Sequence, residues 1–239
     1  MIAQALLLDL GNHNLKWAQL GDDGLFSEVE SCRLEEFAES DLPAFLGGTE
    51  LPVFLSSVNP GFVEQLMQAC SHLRVHSVDQ AVLPFKVASA NTGSDRVIAA
   101  FAAWRRCGGV CLVADLGTAW TLDVVAADGV LLGGAIGAGL GVQQAALAAA
   151  APHLGSTGIA TSGIPADTET ALAVGSVTAL ALGINALADQ FLASLSAPSA
   201  TRFLGGGDAP LIHAAMGDGW ERCDNLVIAG LAEWAKDEV

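Results

Sequence analysis

Val113-Ala114-Asp115-Leu116-Gly117-Thr118-Ala119-Trp120-Thr121-Leu122-Asp123-Val124-Val125 is the stretch that decides how this chain is read. Two apolar runs, Val110 to Ala114 and Leu122 to Val125, enclose an Asp, a Gly and two Thr, which predicts strand, tight turn, strand. A carboxylate at the end of a buried strand is costly unless it has a partner or a task. Gly117 lets backbone come close to a ligand because it has no Cβ. Thr118 and Thr121 add hydroxyl donors. Such a hairpin can hold a phosphate with N–H groups and hydroxyls while the Asp holds a cation. The same residues also suit a plain hairpin whose Asp closes the turn.

A second copy separates the two readings. Leu6-Leu7-Leu8-Asp9-Leu10-Gly11-Asn12 opens the chain, and Leu112-Val113-Ala114-Asp115-Leu116-Gly117-Thr118 repeats it. A repeat of this kind is one supersecondary unit used twice. Two such loops facing each other could grip both ends of a polyphosphate. The pair resembles the Asp-x-Gly phosphate loops of the duplicated actin-like kinases, which include sugar kinases, acetate kinases and actin. That resemblance implies an α/β fold of two tandem ribonuclease-H-like (actin-like ATPase) domains with a cleft between them. Gly108-Gly109 marks the boundary, giving halves 1–108 and 109–239.

The composition bounds the partners. The chain has 239 residues, enough for two compact domains, and 52% of them are hydrophobic, enough for a sizeable core. A net charge of −16 argues against nucleic acid and against an anionic membrane surface, since both need basic patches. It leaves room for a nucleotide, whose phosphates helix N-termini, backbone N–H groups and Mg²⁺ can neutralise locally. Cys32, Cys70, Cys107, Cys111 and Cys223 contain no Cys-x-x-Cys pair, which predicts reduced thiols in a cytoplasm. The first residues show no basic leader segment. Thr170 to Ala188 carries no charge and is nearly long enough to span a bilayer. Its Ser and Thr residues, and the lack of flanking Lys or Arg, favour a buried helix at a core or a subunit interface.

Along the chain, residues 3–9 and Leu15 to Leu20 read as paired strands around Gly11-Asn12-His13-Asn14. Leu25 to Val29 reads as a third strand, Arg33 to Ala38 as a short helix and Leu51 to Ser56 as a strand. Phe62 to Ser71 has helical spacing. Val75 to Val78 is a short strand, and Leu83 to Asn91 is loop. Val97 to Arg106 is a helix. The second half repeats the plan: strands at 110–114, 120–125 and 130–136, with Asp128-Gly129 as a hairpin turn. A helix spans 139–151, and Ser156 to Asp167 is a Gly/Ser/Thr-rich loop. One long helix covers Thr168 to Leu195. A short strand at 202–204 enters Gly205-Gly206-Gly207-Asp208, and a helix follows from Pro210 to Met216. Leu226 to Ile228 and a helix from Ala229 to Lys236 close the chain.

Five stretches carry candidate chemistry. In Asp9 to Lys16, Gly11 and Asn12 offer backbone and amide groups to anionic oxygens, Lys16 a positive charge, and Asp9 faces the metal or reacting phosphate. In Gly93-Ser94-Asp95-Arg96, the Asp can accept a proton from an alcohol and the Arg can bind a carboxylate bidentately; Ser94 or Asp95 is alternatively an ordinary helix cap. The hairpin with Asp115 and Thr118 is the third. Thr168, heading the long helix, is the fourth, with an N-cap as its alternative. Phe203-Leu204-Gly205-Gly206-Gly207-Asp208 is the fifth: a strand feeding three glycines into a helix suits the close approach of a nucleotide.

Taken together these stretches resemble the type III pantothenate kinases, members of the actin-like kinase superfamily. The matching residues are Asp9-Leu-Gly-Asn with Lys16, Ser56-Ser-Val-Asn-Pro60, Gly93-Ser-Asp-Arg96, Asp115-Leu-Gly-Thr-Ala119 and Gly133-Gly-Ala-Ile136. They continue with Thr168-x-x-Ala171-Leu-x-x-Gly175, Gly205-Gly-Gly207 and Asn225-Leu-Val-Ile-Ala-Gly-Leu231. The order is the family's, over almost the whole length. The family phosphorylates the primary alcohol of pantothenate with a nucleoside triphosphate, the first step to coenzyme A. The resemblance implies that Asp9, Leu10, Gly11, Asn12, His13, Asn14, Leu15, Lys16 and Thr118 contact ATP with its Mg²⁺. It implies that Gly93, Ser94, Asp95, Arg96 and Thr168 bind pantothenate, with Asp95 as general base. Asp115 would hold an activating monovalent cation, K⁺ or NH₄⁺. Family members are dimers, which suits the uncharged helix.

Two departures stand out. The family's first loop usually has Asn-Thr or Asn-Ser, where this chain has Asn12-His13. The family places a Tyr shortly before Gly-x-Asp-Arg, and this chain has no Tyr. They motivate a rival, a non-catalytic paralogue that binds a ligand or regulatory partner. An acyl-phosphate kinase or polyphosphate hydrolase is a further rival, against which Gly93-Ser-Asp-Arg96 speaks.

Overall fold

The computed structural model describes residues 2–40, 42–69, 71–78, 83–155 and 163–238. Cys70 and residues 156–162 of the Gly/Ser/Thr-rich loop lie outside them. The chain divides into two units. The first comprises Met1–Arg106, Gly129–Leu131 and Asn225–Val239; the second comprises Cys107–Asp128 and Leu132–Asp224.

In the first unit, β1 (Ala3–Leu10), β2 (Asn14–Gly21), β3 (Glu30–Arg33), β4 (Val53–Ser57) and β5 (Val75–Ser77) form one sheet in the order β3-β2-β1-β4-β5. The β1 and β2 strands are antiparallel, and β4 runs parallel to β1. Strand alternation sends Leu6, Leu8, Leu10, Leu15, Trp17, Val53 and Leu55 into one layer. There they meet Phe37, Leu42, Leu46 and Leu66, from a 3₁₀ turn (Leu34–Glu39), α1 (Leu42–Gly48) and α2 (Pro60–Ala69). On the opposite face Phe54 meets Trp234 edge-on, with ring centroids 5.0 Å apart. Trp234 belongs to α8 (Leu226–Glu238), most of whose apolar residues are buried. The C-terminal helix therefore groups with the first unit, because its apolar face is covered there. A single division at 108 does not describe this. In α3 (Ser94–Cys107), Val97 through Ala103 are all buried. The short β6 (Lys86–Val87) pairs with Val130 and Leu131, at the start of β9 (Val130–Ala138).

The second unit repeats the topology. Its strands β7 (Cys111–Leu116), β8 (Ala119–Val125), β9, β10 (Thr201–Gly205) and β11 (Glu221–Arg222) take the order β11-β10-β7-β8-β9. Here β7 and β8 are antiparallel, and β10 runs parallel to β7. The repeat holds residue by residue. Asp9 lies opposite Lys16 and beside Ser56, while Asp115 lies opposite Thr121 and beside Gly205. Helices α4 (Leu140–Ala150), α5 (Thr168–Ala173), α6 (Ala179–Ser194) and α7 (Ala209–Met216) complete the unit. Its core joins Leu112, Ala114 and Leu122 to Leu180, Ile184, Leu192 and Ile212.

Several elements differ from their sequence-based expectation. The third strand is Glu30–Arg33, not Leu25 to Val29; Phe26 makes only an isolated bridge to Leu20. The Ser27 hydroxyl accepts the Gln19 N–H (3.1 Å), so a side chain stands where a ladder carbonyl would. The helix α1 was hidden by its closing Gly47-Gly48, poor helix formers. Residues 226–228 continue into α8. The long helix is interrupted by a π turn, Val174–Thr178, at which the Ser176 hydroxyl donates to Leu172 O (2.8 Å). Thr168–Ser194 is long and apolar enough to cross a membrane by length and composition. Here one face of α6, with Leu180, Ala181, Ile184, Ala188 and Leu192, is buried in the core of the second unit.

Candidate functional site

In the first unit four polar residues stand in register across four strands: Ser31, Lys16, Asp9 and Ser56. Alternation puts them on the face opposite the Leu8–Leu10 layer. Asp9 and Lys16, half-buried, form an opposite-charge cross-strand pair. The turn beyond them is closed by the Gly11 N–H donating to Asn14 O (3.0 Å) and presents Asn12, His13 and Asn14 to solvent. Leu10 and Leu15, opposite each other in the core layer, fix the base of this turn.

The junction from β4 to α2 braces two of the predicted stretches at once. The Ser94 hydroxyl lies 3.2 Å from the buried Ser56 hydroxyl, donates to Ser57 O (2.8 Å) and accepts from the Ser57 N–H (3.0 Å). Asn59 accepts the Phe62 N–H at the start of α2 (3.1 Å) and reaches Asn12 O at 3.5 Å. The start of α3 is thus fastened beside the Asp9–Lys16 row. Ser94 makes this latch, while Asp95 is the next residue along the helix. The Arg96 N–H donates to Asp95 Oδ1 at 2.7 Å. Burial pushes the Asp95 carboxyl above its ordinary range, against the opposing pull of the Arg96 N–H and guanidinium. A carboxylate raised in this way is a better proton acceptor for an alcohol.

In the second unit three loops are fastened together. The β7–β8 turn is closed by the Gly117 N–H to Ala119 O (3.1 Å), leaving Thr118 exposed and Asp115 half-buried. The Gly139 N–H, just before α4, donates to Thr118 O (2.9 Å). The Asp208 N–H, just before α7, donates to Leu116 O (2.9 Å). The Asp208 carboxylate accepts the Leu140 N–H, and burial raises its pKa. Gly206 has φ +93°, and a Cβ there would fall 2.3 Å from Leu116 N, so only glycine fits this contact. The fifth stretch is therefore built around the third.

Thr168 is the exposed first residue of α5, and the cap is Asp167, whose carboxylate accepts the Thr170 N–H (2.8 Å) and hydroxyl (2.9 Å). Thr168 lines a groove of about 710 Å³ with Leu147, Ala148, Ala171 and Leu172, between α4 and α5. Among the described residues no three His, Cys, Asp or Glu side chains cluster as a metal site. Single carboxylates at Asp9 and Asp115 suit Mg²⁺ carried in by a nucleotide's phosphates, and suit a loosely held monovalent ion, better than a dedicated protein cage.

Two residues beside these loops carry no role in the sequence pattern: Asp208, against Leu116 and Leu140, and Arg33, which the sequence predicts at the start of a helix. Arg33 ends β3 opposite Asn14, a placement that only strand register reveals.

A family model described as type III pantothenate kinase matches residues 5–190. A type III pantothenate kinase of Halorhodospira halophila is 31% identical over 98% of this chain and 98% of its own length. That of Chromobacterium violaceum is 32% identical, over 96% and 98%. Among solved structures, a Campylobacter jejuni protein named for a Baf family of transcriptional activators superposes with a TM-score of 0.71 at 21% identity, covering 98% of both chains. An archaeal actin homologue gives 0.53 at 11% identity, covering 99% of this chain and 100% of that one. These two likenesses concern the fold, which is α/β and actin-like.

Proposed function

The chain belongs to the type III pantothenate kinase family, and on that premise we propose that it phosphorylates pantothenate at its primary alcohol by in-line transfer from Mg-ATP, with Asp95 as general base. The observation that carries the proposal is the Ser94 latch. It sets Asp95 on a helix start tied to Ser56, in the same row as Asp9 and Lys16.

The pantothenate hydroxyl attacks the γ-phosphorus as its proton passes to Asp95. The bond to the β–γ bridging oxygen breaks, and ADP leaves. Lys16 and the N–H groups of the Gly11–Asn12 turn stabilise charge on the phosphoryl oxygens. Mg²⁺ supplies further neutralisation when it arrives with the nucleotide. Arg96 holds the substrate carboxylate, where its planar fork suits two oxygens. Thr118 is a further contact to ATP, Thr168 a further contact to pantothenate, and Asp115 the ligand of K⁺ or NH₄⁺. The chain works as a homodimer in the cytoplasm. Support for the dimer comes from the apolar groove between α4 and α5, with Val142 and Leu147 exposed on α4.

Coupled ADP release with pantothenate and Mg-ATP, with and without K⁺, tests this directly. Pantothenate-dependent turnover that rises with K⁺ is the expected result. A folded protein without turnover would favour the second reading, a non-catalytic paralogue. His13, exposed in the turn where the family carries a hydroxyl, motivates that reading.

A further inference from the structure

We propose that Arg33 is a second phosphate-binding cation beside the first loop, held by Glu35 until the terminal phosphates of a Mg-nucleotide replace that carboxylate. The proposal rests on the nucleotide reading of the Asp9–Lys16 turn and does not depend on pantothenate as acceptor.

Register places Arg33. It pairs with Asn14, while Lys16 pairs with Ser31, so Arg33 and Lys16 lie on one face as diagonal neighbours. Such neighbours are about 7–8 Å apart, within reach of one polyphosphate for two long side chains. The end of β3 is also tied to the turn. The Leu34 N–H donates to His13 O (2.9 Å), and the Arg33 N–H donates to Glu36 Oε2 (3.3 Å). The guanidinium is therefore carried on backbone that is already ordered against the loop.

A cavity of about 580 Å³ opens here, lined by Asn12, His13, Asn14, Arg33, Leu34 and Glu35. Two amides, an imidazole and a guanidinium supply its donors, and Glu35 is its one carboxylate. Arg33 Nη1 lies 3.4 Å from Glu35 Oε1, with the two side chains 69% and 74% exposed. An exposed pair of this kind contributes little and is easily exchanged. A phosphate offers the same fork geometry with more charge. The chain has 10 Lys and Arg against 26 Asp and Glu. An incoming triphosphate therefore meets a repulsive field overall and needs local cations to settle.

Calorimetric titration with Mg-ADP and with Mg-pyrophosphate tests the proposal. Arg33→Gln should raise both dissociation constants at least about fivefold, and Arg33→Lys, which keeps charge without the fork, should fall between. Glu35→Gln should tighten both, by about twofold, because the competing carboxylate is gone. Unchanged thermal melting of the variants shows that the fold is intact. Wild-type affinity in Arg33→Gln overturns the proposal. Weaker binding in Glu35→Gln overturns the role given to Glu35. If the wild type binds both probes and leaves pantothenate unphosphorylated, the acceptor assignment fails and the Arg33 comparison still decides this one. If the wild type binds neither probe, Arg33 and the loop assignment fall together.

Discussion

A Cβ on Gly93 would lie 2.7 Å from Oδ1 of Asp95. The two residues fit each other across the first turn of α3, and the carboxylate sits where any other side chain at 93 would press on it.

Gly93→Ala should therefore turn the Asp95 carboxylate aside while leaving the fold in place, since the atom displaced ends a short side chain. Misplacing a reacting group by about 1 Å can cost on the order of a hundredfold in rate. Steady-state kinetics should show kcat falling by at least tenfold, on that order-of-magnitude scale, with KM for Mg-ATP little changed. Full turnover in the variant would separate Asp95 from the chemistry.

Asp95→Asn should abolish most turnover, by about 10²–10⁴-fold for a lost general base, and should also stabilise the protein at neutral pH. The sign follows from burial, which raises the folded-state pKa above the unfolded one. The stability contributed by the protonated form is complete below the unfolded pKa and is lost as pH rises through the folded one. Above the folded-state pKa the wild type carries the cost of a desolvated carboxylate, which Asn removes. Differential scanning fluorimetry should show a higher Tm for Asp95→Asn at pH 7 and a shrinking difference as pH falls toward the ordinary carboxylate range. The rate of the wild type should fall over the same interval, as the base is protonated.

Ser94→Ala removes a hydroxyl that meets Ser56 Oγ, Ser57 O and Ser57 N–H. The buried Ser56 and the half-buried Ser57 lose these hydrogen bonds, at a cost of about 1–3 kcal/mol. Urea unfolding should show that loss, and kcat should fall with it because α3 is no longer pinned to β4. A variant with native stability would show that the latch does not hold the helix.

Gly206→Ala meets backbone, not a flexible side chain: its Cβ would lie 2.3 Å from Leu116 N, at φ +93°. The Gly-rich loop must move away from the β7–β8 turn. Mg-ADP should bind at least about tenfold more weakly, with the Tm lowered, since strained backbone costs about 1–3 kcal/mol. Native affinity would remove the Gly205–Asp208 loop from the nucleotide site.

The duplication was legible in the residues alone. An apolar strand ending in Asp-Leu-Gly is a local pattern, and strand alternation with turn chemistry is written within a few positions. Hence both turns and the strand-end positions of Asp9 and Asp115 are readable there, and the repeat is one of register as well as sequence. What lay beyond reach depends on distant partners. The bonds between Ser94 and residues 56 and 57 join positions 37 and 38 apart in the chain. The placement of Arg33 beside Lys16 depends on how β3 slides against β2, which no local period specifies. The C-terminal helix joined the first unit because Phe54 and its neighbours needed covering, a demand of packing that no stretch of sequence carries by itself.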